Sequence, residues 1–253
     1  MILAIMSGDK DQTARVDCSN CPHRDDRLKE GKCNPGDSCV RAMSGRQIAR
    51  FFTSNPDLAD EYAGDGFWER RAIAARYISQ QRLLQMLDDP DEVVRRVLAY
   101  RLPLGELGPL IKDPDREVRV TVADRLPADE IEIMADDEDY LVRHYVAKRL
   151  TKGRLFRMIA DRDSEVRKTV AARIPKVSLG LMAGDEDAAV RMVVARRMAE
   201  ETLFLMINDA DWRVRMVVGE RLPVEQLTVM QDDPDEDVRE LVSRRLQQNL
   251  NPK

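Results

Sequence analysis

The 253-residue chain has few aromatic residues, since Phe, Trp and Tyr together make up 5 % of it whereas charged residues make up 34 %. Such a small supply of bulky side chains suits many small interfaces better than one large core. Only two histidines are present, His23 and His144, and no Ser-His-Asp set or Gly-rich phosphate loop occurs, so acid–base catalysis has few candidate groups. The composition therefore favours a binding or structural protein without catalytic residues over an enzyme.

Long apolar runs are also missing. The apolar start, from Met1 to Met6, has six residues and no basic region before it, which is too short for a signal peptide. No stretch approaches the roughly 20 apolar residues that a membrane span needs. The net charge of −5 argues against indiscriminate binding to nucleic acid, although it leaves room for a local basic patch. We expect a cytoplasmic protein that does not enter a membrane.

What the chain does contain is a repeat of 24 residues. A Val-Arg pair recurs once in each copy, at Val94-Arg95, Val118-Arg119, Val142-Arg143, Val166-Arg167, Val190-Arg191, Val214-Arg215 and Val238-Arg239. A second arginine follows each pair, at Arg101, Arg125, Arg149, Arg173, Arg197, Arg221 and Arg245, and an aspartate precedes it, at Asp89, Asp113, Asp137, Asp161, Asp185, Asp209 and Asp233. An eighth, degenerate copy begins near Asp65, with Arg71 and Ala75 in register. Such regularity predicts stacked layers that share their apolar faces, because one copy alone cannot bury enough surface.

Each copy is predicted to form two helical pieces. The first runs from about Pro90 to Leu102, with Asp89 as its N-cap and with an Asp91–Arg95 pair four residues apart on its surface. The second, about Leu104 to Lys112, suits a short α- or 3₁₀-helix. No segment alternates as a strand does, so an all-α fold is expected.

The two arginines of each copy have different predicted places. Arg101 shares a helix face with Val94 and Leu98, so it is expected on the packing side, where it links successive layers. Replacing its equivalent Arg149 by Ala should then lower stability more than partner binding. Arg95 lies beside the apolar row and is the better candidate for an exposed ladder that contacts an acidic protein or a phosphate backbone.

All the cysteines of the chain fall in one short segment, at Cys18, Cys21, Cys33 and Cys39. In a reducing compartment this clustering indicates a metal site rather than disulfides. Soft sulfur ligands favour either zinc or an iron–sulfur cluster. There is one C-x2-C knuckle where a structural zinc site usually has two, and the uneven spacing and Cys21-Pro22 favour the cluster, with zinc as the alternative. His23 is a rival ligand, but a histidine beside four cysteines is more often a surface residue.

The 24-residue pattern from Asp65 to about Gln247 resembles the leucine-rich repeat variant family, in which α- and 3₁₀-helices alternate in a right-handed superhelix without a sheet. The resemblance implies an all-α solenoid of about eight repeats over residues 65–253, preceded by a four-cysteine segment over residues 1–64. Some members of the family carry an N-terminal [4Fe–4S] cluster, and the resemblance implies that Cys18, Cys21, Cys33 and Cys39 are its ligands. Four ligands leave no open iron, and the C-x3-C-x2-C motif of radical-SAM enzymes is missing.

These features favour a scaffold for protein–protein interaction, with a protein as partner and with binding that depends on redox state or oxygen. The cysteine segment is placed to cover the first apolar face of the stack. A first alternative is a nucleic-acid-binding protein with a structural cluster, to which Arg41, Arg46, Arg50, Phe51 and Phe52 would contribute. A second is an electron carrier or accessory in metallocluster or nitrogenase-related metabolism.

Overall fold

The computed structural model describes residues 17–250, and within that range the chain forms helices and turns and no strand. The α-helices are α1 (Gly45–Ser54), α2 (Trp68–Ala74), α3 (Gln80–Leu84), α4 (Glu92–Arg101), α5 (Arg116–Arg125), α6 (Tyr140–Arg149), α7 (Ser164–Arg173), α8 (Ala188–Arg197), α9 (Trp212–Arg221) and α10 (Glu236–Leu250). The 3₁₀-helices are Pro22–Arg24, Pro56–Tyr62, Leu104–Glu106, Gly108–Leu110, Ile131–Met134, Lys152–Met158, Lys176–Met182, Glu200–Met206 and Val224–Met230. The predicted all-α class, with α- and short 3₁₀-helices in alternation, is confirmed.

The described residues fall into two compact units, one ending at Arg125 and the other beginning at Leu126. In the first unit α1, α2, α4 and α5 pack in succession, and in the second unit α6 to α10 do the same. The predicted boundary between residues 64 and 65 is a change of sequence pattern inside the first unit, and as a domain boundary it stays a prediction. The apolar start at Met1 to Met6 lies outside the described residues.

The core of each layer is built from the same few positions. In the layer of α7, Val166, Val170 and Ala171 are fully buried on one helix face, and Leu179 and Met182 of the following 3₁₀-helix are buried beside them. Helix α7 packs against α6 on one side and α8 on the other. A layer with so small a core depends on its neighbours for most of its cover, as the repeat predicted.

The long helices begin two residues later than predicted. In α4 the N-cap is Asp91, whose carboxylate accepts a hydrogen bond from the Val93 amide at 3.0 Å. Asp89, the predicted cap, instead accepts from the amide of Asp91 at 3.0 Å, so it forms the turn that leads into the helix. The prediction was wrong because either aspartate can hold a free amide, and sequence spacing does not decide between them.

The longest of the described helices, α10, has 15 residues. None of those between residues 17 and 250 combines the length and the apolar character that crossing a membrane requires. Within each unit, these helices pack against neighbouring helices.

Candidate metal centre

The cysteine segment is a series of tight turns. Gly31 and Gly36 have φ angles of +72° and +92°, in the left-handed region that glycine adopts without strain. Between them lies the start of a small loop in which Asn34 and Ser38 exchange backbone hydrogen bonds of 2.7 and 2.8 Å. Cys33 directly precedes Asn34 and Cys39 directly follows Ser38, so the pairing brings the last two cysteines to neighbouring ends of the loop.

Two buried amide side chains hold this loop against helix α1. The Gln47 Nε2 atom donates to the carbonyl of Gly36 at 2.9 Å, and the backbone carbonyl of Gln47 accepts from the backbone amide of Cys39 at 3.1 Å. The Asn55 Nδ2 atom donates to the carbonyl of Lys32 at 2.9 Å. Both side chains are fully buried. Because buried carbonyls need partners, these contacts fix the course of the loop that carries the last two cysteines.

The pKa values of two of the thiols, Cys33 and Cys39, are raised in this segment. Burial raises the pKa of Cys33 to about 11, and the other three thiols add to the effect through their negative charge when ionised. Burial also raises the pKa of Cys39, opposed by hydrogen bonds from the backbone amides of Arg41 and Ala42. Both thiols are therefore protonated at neutral pH without a metal, and a bound cation would favour the thiolates.

The residues present fit a thiolate-bound inorganic group in their chemistry. The segment supplies four soft sulfur donors and two backbone amides directed at the Cys39 sulfur. The Ser38 hydroxyl, one residue away, is buried without a hydrogen-bond partner, as a donor reserved for such a group would be. Within residues 17–250, no three Cys, His, Asp or Glu side chains converge at the spacing that a single metal ion requires.

His23 was expected on the surface, and this expectation was wrong. The 3₁₀-helix Pro22–Arg24 turns its side chain inward, where it is 4 % exposed and packs 5.5 Å from the ring of Phe51. Its Nε2 atom forms a 2.7 Å hydrogen bond with the Tyr62 hydroxyl. Burial, with a smaller contribution from the negative charge of Cys21, raises the pKa of Tyr62 to about 12. His23 therefore anchors the first cysteine pair to the helical part of the unit.

The predicted exposed ladder of arginines is also corrected. Arg95 donates through Nε and Nη2 to both carboxylate oxygens of Asp113, at 2.8 and 3.0 Å, and through Nη1 to the carbonyl of Asp89 at 2.8 Å. The same paired contact recurs at Arg71–Asp89, Arg143–Asp161, Arg167–Asp185, Arg191–Asp209 and Arg215–Asp233. These aspartates lie 18 residues downstream, in the next layer, so the arginines bridge layers instead of facing a partner. The degenerate first copy is confirmed by its own pair.

The second arginine of each copy also contacts a neighbouring layer, as predicted. In the first unit, the Nη1 atom of Arg125 donates to the carbonyls of Ala99 at 2.6 Å and Leu102 at 2.7 Å, at the end of α4. In the second unit Arg173, Arg197, Arg221 and Arg245 make the equivalent contact with the preceding helix. The last carbonyls of a helix lack partners within it, so each guanidinium caps the layer before.

The basic and aromatic residues considered for nucleic acid do not form a stacking platform. Phe51 and Phe52 are 1 % and 0 % exposed and lie in the core beside α1. Arg50 forms an ion pair with Asp37, and Arg41 donates to the backbone at 3.0 Å. A buried ring cannot stack on a base.

Comparison with known proteins agrees with this organisation. Residues 11–61 match the family described as LRV protein FeS4 cluster, and residues 116–139 match the family described as leucine rich repeat variant. A solved structure described as a leucine-rich repeat variant with a novel repetitive protein structural motif is 50 % identical, covers 92 % of this chain and 100 % of its own, and superposes with a TM-score of 0.88. This likeness confirms the predicted all-α repeat solenoid.

A second relative matches a shorter part of the chain. It is a protein from Rhodobacter capsulatus described as an uncharacterized 27.7 kDa protein in the nifB 3′ region, and it is 41 % identical over 88 residues. The match covers 35 % of this chain and 36 % of the relative, so the chain spans about a third of the length of that curated protein.

Proposed function

Since the chain belongs to the leucine-rich repeat variant family, we propose that it is a cytoplasmic scaffold for protein–protein interaction, without catalytic activity, whose N-terminal segment holds a [4Fe–4S] cluster. The family match described by an FeS4 cluster spans all four cysteines. The proposed ligands are Cys18, Cys21, Cys33 and Cys39. This family match is the observation that carries the proposal, and the backbone pairing of Asn34 with Ser38, which brings Cys33 and Cys39 to neighbouring ends of one loop, supports it.

The cluster would act on this chain in two ways. When bound, it supplies a one-electron redox couple and metal–sulfur bonds that cross-link the turns of the segment. Gln47 and Asn55 position the loop of the last two cysteines, and His23 and Tyr62 position the first two. A change of charge on the cluster would act on this set of contacts, which supports binding that depends on redox state or oxygen.

The repeats support the scaffold role through what they leave unused. The arginines and aspartates that recur in every copy form contacts between layers. Partner recognition therefore depends on the residues that differ from copy to copy. Stacked repeats present extended surfaces of that kind. Purified protein with both cluster and repeats intact is therefore the form in which partners should be sought.

Analysis of anaerobically purified protein tests the cluster. We expect about four iron and four sulfide per chain and little zinc. Cys33→Ser should lose the iron, whereas Met43→Ser, at a residue 71 % exposed, should keep it. Stoichiometric zinc without sulfide would contradict the proposal.

Partner capture tests the interaction role. The whole protein, oxidised and reduced, should retain one or more proteins with affinities that differ between the two states. Equal affinities in both states, and in Cys33→Ser, would restrict the cluster to a structural role. Capture of no protein under any of these conditions would remove the scaffold proposal itself.

One observation favours a second candidate function. The relative from Rhodobacter capsulatus is named for the nifB 3′ region, which supports a role as electron carrier or accessory in metallocluster or nitrogenase-related metabolism. A cluster with this role must exchange an electron, so its reduction potential should lie within the physiological range. A potential outside that range would dismiss it.

Nucleic-acid binding remains the weaker alternative, because the regular arginines already have partners within the protein. Binding of this kind should weaken steeply as salt is raised. Titration of a duplex and a single strand at two salt concentrations would measure this, and binding that ignores salt would dismiss the alternative.

A further inference from the structure

The first unit carries a cavity of about 460 Å³ between the surfaces of α4 and its neighbours. Its walls combine two kinds of side chain. The apolar wall comprises Val93, Val97 and the ring of Tyr100, with Thr121 beside them, and the cationic wall comprises Arg76, Arg96 and Arg101. We call this cavity the Arg76–Arg96 pocket.

Two residues of the pocket, Arg96 and Tyr100, depart from the repeat pattern. At 24-residue steps from Arg96 the chain has Val120, His144, Lys168, Met192, Met216 and Glu240. At the same steps from Tyr100 it has Asp124, Lys148, Ala172, Arg196, Glu220 and Arg244. Stacking makes the same demands on every copy, so Arg96 and Tyr100, which no other copy carries at these positions, are not explained by stacking. Their combination here indicates a function specific to this place on the surface.

The charge of the pocket has one sign. Arg76 and Arg96 are exposed, and neither forms an ion pair among the described residues, unlike Arg95, which is held by Asp113. No carboxylate lines the cavity. Two free guanidiniums present forked donors that suit a carboxylate or a phosphate.

The apolar wall narrows the choice of ligand. Tyr100 is 72 % exposed, an unusual exposure for a large aromatic side chain on a helix that otherwise buries its apolar face. Beside it, Val93 and Val97 form a floor for an apolar group. Single-stranded nucleic acid needs a row of stacking rings, and the equivalent positions in later copies carry no aromatic residue. A compact ligand with one acidic and one apolar group fits better.

We propose that the Arg76–Arg96 pocket binds a short acidic segment of a partner protein. A carboxylate of that segment pairs with the two guanidiniums, and an adjacent apolar side chain packs on Val97 and Tyr100. The inference rests on the proposed scaffold function and names the chemistry of the partner.

Selection from a displayed library of random heptapeptides tests the proposal with the whole, cluster-loaded protein. We expect enrichment of sequences that place Glu or Asp beside Leu, Ile or Phe. A labelled peptide of the enriched sequence should bind at least tenfold more weakly when its acids are replaced by their amides. Arg96→Ala and Tyr100→Ala should each weaken binding at least fivefold. Arg196→Ala removes an exposed arginine at the repeat position of Tyr100 and should change nothing.

Four results would overturn the inference. One is no enrichment over the Arg76→Ala/Arg96→Ala double variant, provided that the variant melts as the wild type does. Another is enrichment of basic peptides. The third is binding of a labelled single strand of 15 thymidines to the wild type that disappears in the double variant. This result would show that the pocket binds nucleic acid. A captured partner unaffected by the double variant would refute the pocket while leaving the scaffold function intact.

Discussion

At the scale of single residues, the paired arginine and aspartate are the main polar device of the protein. Arg215 and Asp233 are 8 % and 7 % exposed, and two hydrogen bonds of 2.8 and 2.9 Å join the guanidinium to the carboxylate. Removing a buried charge from water costs several kcal/mol, which a well-formed pair recovers in part. The device therefore makes the alignment of layers specific, because a misaligned layer would leave both charges unpaired.

Loss of one member of this pair should be costly. Asp233→Ala leaves Arg215 without its carboxylate, and we expect the free energy of unfolding to fall by about 3 kcal/mol in urea titration. Asp232→Ala, which removes the exposed neighbouring carboxylate, should change it by less than about 0.5 kcal/mol. Equal effects of the two substitutions would show that the pair contributes no more than a surface charge.

A second residue-scale prediction concerns pH. Burial, followed by the positive charge of Lys148, lowers the pKa of His144 below its ordinary value of 6.5, and its Nδ1 atom lies 2.9 Å from the Thr169 hydroxyl. Glu165 raises this pKa and Lys168 lowers it, both to a smaller degree. The unfolded chain therefore takes up the proton at higher pH than the folded chain.

This difference in pKa makes the folded state less stable at low pH. Above the ordinary pKa the histidine is neutral in both states and contributes nothing, and the free energy of unfolding falls as the pH drops from there through the folded pKa. Urea midpoints between about pH 7.5 and pH 5 should show this loss, and His144→Gln should reduce the slope. A slope unchanged by the substitution would assign the pH dependence to other groups.

At the scale of elements, the helices of the repeats are short, and α4 and α6 to α9 are capped at both ends. Most have ten residues, a length at which an isolated helix is marginal in water. In α8, Asp187 accepts from the Ala189 amide at 2.7 Å at the start. At the other end, Arg221 donates to the Ala195 carbonyl at 2.5 Å. A helix therefore owes one cap to its own sequence and the other to the next layer.

Two neighbouring arginines allow the effect of a helix cap on stability to be separated from the effect of losing a positive charge. Arg197 caps the end of α7, with its Nη1 atom 3.0 Å from the Ile174 carbonyl, whereas Arg196 beside it is exposed. Arg197→Ala should lower the free energy of unfolding by about 1–3 kcal/mol, since carbonyls lose a charged donor. Arg196→Ala should have little effect. Thermal melting of the two variants checks this, and equal melting temperatures would contradict the capping role.

The loop that carries the last two cysteines is an element held by buried amides. Gln47→Leu removes the hydrogen bond to the Gly36 carbonyl and leaves that group unpaired, so the cysteines lose a fixed position. We expect faster loss of iron to a chelator than in the wild type, because the ligands of a metal are held in place by such neighbours. Gln226→Leu, at an exposed glutamine of the second unit, is the control. Equal rates in both variants would assign loop position to the cysteines alone.

At the scale of the whole molecule, stability is a sum of contacts between adjacent layers, and each unit contains its own stack. Because each layer contacts only its neighbours, a change in the stability of one layer has little effect beyond the next layer. The cysteine segment contacts α1 and the 3₁₀-helix Pro56–Tyr62 within the first unit. The effect of the cluster on folding should therefore be local.

Hydrogen exchange of cluster-loaded and cluster-free protein tests this locality. We expect amides of residues 17–62 to lose protection from exchange without the cluster. The reason is that bonds to the metal centre contribute to the folding free energy of the segment that provides the ligands. Residues 126–250 should keep their protection. A uniform loss across both ranges would show that the cluster governs the folding of the whole chain.

Much of this organisation could be predicted from the sequence. The period of 24, the all-α class, the alternation of helix types and the degenerate first copy all follow from residue spacing, because stacking places the same demand on each copy. The layer-linking role of the Arg101 series also followed, since its position on a helix face is a local property. The grouping of the cysteines indicated a metal site before any geometry was known.

Other features were decided only by the tertiary structure. Arg95 has one aspartate four residues before it, the N-cap Asp91, and another 18 residues after it, Asp113. Only the stacking of layers places Asp113 against the guanidinium. His23 is buried because a turn directs it at Phe51 and Tyr62, which are distant in the sequence. The repeat determines the spacing of apolar and polar residues along the chain, and this spacing determines which segments form each layer. Which side chains meet across two layers depends on how those layers are stacked in three dimensions.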